Sequence, residues 1–369
     1  MKTLEHGGNL KKFARQFGKK DTDILDFSSN VTPLGFPESV RELYPALLDQ
    51  LTQYPDPSSS ALRLEITRHF PLFPENVIVG NGSMKLLALV VRSFAPKRAL
   101  LVEPCFAEYR RLLHLQGARV KSISLREGNQ FKFSFKEIFG ALPGTDFLIL
   151  GHPNNPTGTA LPREEMRELL ADCRRRNIVV VIDEAFVDWC PDFSLARDVK
   201  DNASFIVLRS LTKFYGLAGI RAGYGLASRR VIESLESGRD PWSVNIVAQG
   251  LSVAALRDGD FRKESLAWFQ EESAWFYKAL SGLEGFRVFP GLANFFLMKI
   301  AVPLQEAESL YRVCGEKGIY LRLLNDFPGL GAAYFRIALK DRQQNEFLLA
   351  AFREWAASLD KTRQPVNCV

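Results

Sequence analysis

Between about Asn76 and Gly225, short and nearly continuous apolar runs alternate with longer stretches of helical periodicity. ENVIVGNG, RALLVEP, RVKSISL, DFLILGHP, IVVVIDE and SFIVLRS read as strands, most of them apolar on both faces and several ending in glycine or polar residues. SMKLLALVVRSFA, FAEYRRLLHLQG and LPREEMRELLADCRRRN read as the helices between them. Apolar strands separated by helices predict a mainly parallel central sheet with helices on both faces, a three-layer α/β/α architecture.

After Gly225 the pattern changes. Residues 244–262 and 263–281 read as helices, FRVFPGLANFFLMKI, GIYLRLL and YFRIAL as strands, and RQQNEFLLAAFREWAASL as a last helix. This predicts a smaller α+β unit. The first forty residues show little regular pattern and many turn signals, HGGN and SSNVTPLG among them. The expected division is an N-terminal arm over 1–45 packed on the small domain, a large domain over 46–245 and a small C-terminal domain over 246–369.

In a parallel α/β sheet, ligands bind beyond the carboxyl ends of the strands. Four junctions there carry polar chemistry. Gly80-Asn81-Gly82-Ser83 joins a strand to a helix N-terminus, whose free N–H groups suit an anion. By itself it reads better as an ordinary βα turn. It lacks the third glycine of a dinucleotide fingerprint, Lys85 standing there, and it lacks the GK[ST] of a P-loop. Asn154-Asn155-Pro156-Thr157-Gly158 is a tight turn able to aim an amide into a cleft. Asp183 ends an apolar strand, where a carboxylate needs a cationic or protonated partner.

Lys213 follows Ser210 and Thr212 and precedes Arg221. A lone lysine is ordinarily a solvated charge. A buried one beside other cations is a candidate amine for carbonyl chemistry. Together the four junctions suit one ligand with a phosphate, a basic ring nitrogen and an aldehyde. Pyridoxal 5′-phosphate has all three.

Composition narrows the picture. The 369 residues are 46% hydrophobic, with no apolar run of the roughly 20 residues a membrane span needs. MKTLEHGGNLKKFARQFGKK lacks the apolar core of a secretory signal. The net charge is +6, but basic and acidic residues are interleaved, which favours anionic small-molecule substrates over nucleic acid. Five cysteines with no CxxC pair fit a reducing, cytoplasmic compartment. Four scattered histidines show no zinc spacing, so no metal is expected.

YPDP at 54–57, GNGS at 80–83, PCFAEY at 104–109, NNPTG, DEAF at 183–186, SLTK, GIRAGY at 219–224 and YFRIAL at 334–339 lie in order along nearly the whole chain. In these motifs the chain resembles the fold-type-I PLP-dependent enzymes. The branch is the one holding histidinol-phosphate aminotransferases and the L-threonine O-3-phosphate decarboxylases of cobalamin biosynthesis. The resemblance implies that Lys213 anchors the cofactor covalently, Asp183 keeps its ring nitrogen protonated, Asn155 bonds its 3-oxygen and Phe106 stacks on its ring. Gly82, Ser83, Ser210, Thr212 and Arg221 would hold its phosphate. Tyr54 would reach the cofactor phosphate of a neighbouring subunit, implying a homodimer.

For the substrate, the resemblance implies that Arg336 binds a carboxylate and that His6, Asn30 and Arg322, with Arg336, grip a phosphate. Phe186, where the aminotransferases usually read tyrosine, and the N-terminal HGGN favour the decarboxylases. The implied reaction turns L-threonine O-3-phosphate into (R)-1-amino-2-propanol O-2-phosphate, with O-phospho-L-serine a second substrate. The alternative is a transaminase of the histidinol-phosphate type. Thr32 and the run Leu323-Leu324-Asn325-Asp326 depart from the family pattern near the expected substrate pocket.

Overall fold

The computed structural model describes residues 7–200 and 205–363, the side chains of 360–363 excepted. The strands in chain order are β1 Leu25–Asp26, β2 Val77–Gly80, β3 Arg98–Glu103, β4 Arg119–Ser124, β5 Phe147–Gly151, β6 Val179–Asp183 and β7 Phe205–Ser210. They continue with β8 Gly223–Ala227, β9 Phe286–Val288, β10 Phe295–Ile300, β11 Ile319–Tyr320, β12 Arg322–Leu323 and β13 Tyr334–Ala338.

Seven of them form one sheet in the order β2-β8-β7-β6-β5-β3-β4. All its neighbours are parallel except at β8, which runs against both β2 and β7. Alternate residues feed two hydrophobic clusters. Leu101, Ile149, Val181, Ile206 and Leu208 enter one, and Leu100, Leu148, Val180, Ile182 and Val207 enter the other. That is the period-two signature of a sheet buried on both faces. The chain has the fold-type-I architecture, with a second, antiparallel sheet ordered β12-β13-β10-β9.

Parity carries through to the strand ends. Asp183 and Ser210 share the face of Val181 and Ile206. Arg209, one residue earlier, points to the other face and is buried against Glu184 and Asp188 at 2.9 and 2.5 Å.

The N-terminal segment is tied to the C-terminal part. β1 pairs in parallel with β11, Leu25 opposite Ile319, and the Ala338 N–H donates to the Phe27 carbonyl at 2.8 Å. The Thr32 N–H donates to the Lys213 carbonyl at 3.1 Å, so the same segment also touches the reactive turn.

Four local readings change. The opening forty residues contain a helix, Leu10–Phe17, with the Asn9 side chain accepting from the Lys12 N–H and Gly18 ending it in the left-handed region. Two further helices, Glu38–Leu48 and Ser60–Thr67, precede the sheet. The helical stretch over 244–281 breaks at Asp258, not at 262, because the Asp258 carboxylate caps the next helix at the Phe261 N–H, 2.9 Å away. GIYLRLL splits at Leu321 into β11 and β12, which belong to different sheets.

Candidate active site

Register brings the chemistry to one edge. Gly151 stands opposite Asp183, Asp183 opposite Leu208, and Ser210 and Gly80 flank Gly223. The ends of β2, β5, β6 and β7 therefore meet around a cavity of about 320 Å³. Among the expected residues, Asn30, Ser83, Phe106, Asn155, Asp183, Ser210, Thr212, Lys213, Arg221, Arg322 and Arg336 all line it.

Gly82 is the N-cap of helix Ser83–Phe94, and no side chain caps that helix end. Its φ is +79°, and a Cβ there would lie 2.9 Å from Nη2 of Arg221. Glycine thus leaves room for the guanidinium beside the open helix end. A Cβ on Gly223 would lie 2.5 Å from the Ser83 N, so the β8 backbone presses against the same turn. The Ser210 and Thr212 hydroxyls are 2.7 Å apart and face the cavity with Arg221. Backbone N–H groups, two hydroxyls and a guanidinium on one wall make a phosphate cradle.

Lys213 lines the same cavity. Burial, then the charges of Arg336 and Arg221, lower its amine from 10.5 to about 8. Asp183 is 9% exposed and accepts from the Tyr109 hydroxyl at 2.7 Å and the Ala185 N–H at 3.1 Å. Burial raises its carboxyl above the ordinary range, while these hydrogen bonds and the Lys213 charge pull the other way. A protonated ring nitrogen is the partner this carboxylate lacks. Phe106 lies edge-on to Tyr109 with centroids 5.6 Å apart. The groups present fit the cofactor's phosphate, ring and aldehyde.

The substrate side is cationic. Arg336 donates from Nη1 to Asn155 Oδ1 at 2.5 Å and from Nη2 to the Ser28 carbonyl at 2.7 Å. Among the described residues, its buried Nε has no hydrogen-bond partner, and neither has the buried Oδ1 of Asn30. Both partners of Arg336 are neutral, so among the described residues no carboxylate compensates its charge at contact distance. Arg322 donates to Asp326. Phe186 also lines the cavity, packed edge-on to Phe295 at 5.0 Å.

One expected residue is elsewhere. Tyr54 is 80% exposed and its ring lies tilted against Trp242, centroids 4.9 Å apart, away from this cavity. His6 lies outside the described residues; Gly7, beside it, lines the cavity. Sequence reasoning missed Tyr109, whose signal is its place in the first turn of the helix that Phe106 begins, three residues after that ring. It also missed the Glu184–Arg209–Asp188 network behind the site.

The family model described as aminotransferase class I and II matches residues 22–352. The chain belongs to the class I and II aminotransferase family. It is 36% identical over 351 residues to the threonine-phosphate decarboxylase of Salmonella typhimurium strain LT2, covering 94% of this chain and 95% of that one. It is 30% identical over 332 residues to a histidinol-phosphate aminotransferase of Thermoanaerobacter sp., covering 88% and 91%. The crystal structure of the histidinol-phosphate aminotransferase from Clostridium acetobutylicum superposes with a TM-score of 0.85 at 28% identity, over 91% of this chain and 100% of that one. The class I and II member described here is a PLP-dependent enzyme. Among its described residues no helix is long and apolar enough to cross a membrane.

Proposed function

We propose that the enzyme decarboxylates an O-phospho-L-amino acid, with L-threonine O-3-phosphate as substrate and O-phospho-L-serine as a second one. The observation that carries this reading is the pair of guanidinium groups, Arg322 and Arg336, in the cavity that also holds Lys213 and Asp183. Two guanidinium forks in one cavity suit a substrate with two anionic groups, a carboxylate and a phosphate. Histidinol phosphate has only one. The 36% identity to a threonine-phosphate decarboxylase supports the same choice.

Pyridoxal phosphate, when bound, supplies an electron sink for the bond to the substrate α-carbon that lies perpendicular to its ring. The chain's part is to decide which bond that is. Arg336 would hold the carboxylate, and Arg322 with Asn30 and His6 the phosphate, so that the carbon–carboxylate bond takes the favoured position. Lys213, its amine lowered to about 8, would attach the cofactor and afterwards deliver a proton to the α-carbon. Asp183, steadied by Tyr109, would keep the ring nitrogen charged. Ser83, Gly82, Ser210, Thr212 and Arg221 would hold the cofactor phosphate. Tyr54, exposed and remote from its own cavity, would complete the site of a second subunit in a homodimer.

Transamination of histidinol phosphate is the second reading, favoured by the 30% identity to such an enzyme. Inhibitor binding separates the two. A phospho-amino acid should bind the holoenzyme at least about tenfold more tightly than the same molecule without its carboxylate. Arg336→Gln should erase that difference. Equal binding of the two compounds by the wild type would contradict the reading.

A further inference from the structure

Arg322 does not face the cavity as a lone charge. Its Nη2 donates to both carboxylate oxygens of Asp326, at 3.0 and 2.8 Å, and its Nη1 donates to the Leu323 carbonyl. The Phe327 ring lies against the guanidinium, 5.4 Å from its central carbon to the ring centroid. The Arg322 side chain is 8% exposed and that of Asp326 25%, so the pair sits where solvent screens it weakly.

Local geometry explains the pairing. β12 is two residues long and ends at Leu323. The chain then turns, the Phe327 N–H donating to the Leu324 carbonyl at 3.1 Å. Asp326 is the third residue of that turn, which carries its carboxylate back over Arg322. The charge of Asp26, and after it that of Asp326, also reaches Arg336, where both oppose the lowering caused by burial and by Arg322.

Among the described residues, Arg322 and Arg336 line the cavity, Asp326 is paired to Arg322 from beside it, and Asp26 also acts on Arg336. An α-carboxylate on Arg336 uses one positive charge. The Arg322–Asp326 pair that remains is neutral, yet it must meet a phosphate of charge between about −1 and −2. A monoanionic phosphate still has a P–OH, which can donate to Asp326 while the other oxygens accept from Arg322. A dianionic phosphate has only acceptors and faces the carboxylate with like charge.

We infer that Asp326 is a specificity-determining residue: it competes with the substrate's distal anion for Arg322 and tunes the site toward a singly charged tail. The inference rests on the reading that Arg322 meets that anion. Asp326→Asn keeps the side chain's shape and one acceptor oxygen while removing the charge.

In holoenzyme kinetics with O-phospho-L-threonine, D326N should lower KM about tenfold near neutral pH and leave kcat within about twofold. The wild-type KM should rise between about pH 5.5 and about pH 7.5, as the phosphate loses its second proton, and that rise should flatten in D326N. A purely structural role would move neither the pH profile nor KM alone. Inorganic phosphate supplies a second measurement: by calorimetry it should bind D326N holoenzyme about tenfold more tightly than wild type. Equal phosphate affinity in the two proteins, or a KM that rises in D326N, would overturn the inference. Loss of all turnover with phospho-amino acids in wild type would instead overturn the proposed reaction, and the phosphate titration would still judge Asp326.

Discussion

The Tyr109 hydroxyl donates to Oδ2 of Asp183 at 2.7 Å, joining the helix that follows β3 to the end of β6. Both residues are at least nine-tenths buried. The bond fixes which way the carboxylate faces and satisfies one of its oxygens. It is one of the influences that lower the Asp183 carboxyl against the larger effect of burial.

Tyr109→Phe removes that donor and nothing else from the pocket wall. Hydrogen bonds to charged groups contribute roughly 1.5–3 kcal/mol, so cofactor affinity should fall by about tenfold or more. Fluorescence titration of the apoenzyme with pyridoxal phosphate measures this. Unchanged affinity would show that Asp183 is positioned without Tyr109.

Lys213 should behave as an amine that loses its proton near pH 8, not near 10.5. The protonated form dominates below that value and the neutral nucleophile above it. The rate at which apoenzyme captures pyridoxal phosphate should climb through pH 8 and then level off. Arg336→Gln and Arg221→Gln each remove a cation that depresses the amine, so each should move this midpoint upward. Borohydride reduction of the holoenzyme should fix the cofactor to the peptide that contains Lys213. A label on any other lysine would contradict the assignment.

His152 is buried, and burial lowers it from 6.5 to about 4, against its hydrogen bond to the Phe193 carbonyl at 3.1 Å. The folded state therefore binds fewer protons than the unfolded chain between those values. Its contribution is fully present above pH 6.5 and is lost as pH falls toward 4. Denaturant unfolding at stepped pH should show wild type losing about 3 kcal/mol relative to His152→Asn across this window. Parallel curves for the two proteins would contradict it.

The strand ends of the large sheet were legible because each apolar run stops at a glycine, a carboxylate or a hydroxyl, and a parallel sheet gathers such ends on one edge. Lys213, Asp183, Asn155 and Arg221 meet there for that reason. β8 was not legible as an antiparallel strand, since GYGLA carries two glycines and no turn signal that fixes its direction. The helix Leu10–Phe17 was hidden by its charge: only Phe13 and Ala14 of its eight residues are buried. Tyr109 was overlooked because a buried tyrosine on a helix reads as core until its hydroxyl finds a carboxylate. The Arg322–Asp326 pairing depends on a turn after a two-residue strand, and no periodicity in the sequence marks that. Tyr54 stands apart from the cavity of its own chain.

The most direct test of the account is the release of labelled carbon dioxide from carboxyl-labelled O-phospho-L-threonine by the holoenzyme, with no keto-acid acceptor present. The account predicts release that requires Lys213 and Arg336 and yields one phosphorylated amine for each carbon dioxide. A keto product that forms only when an amino-group acceptor is added, with no carbon dioxide, would contradict it.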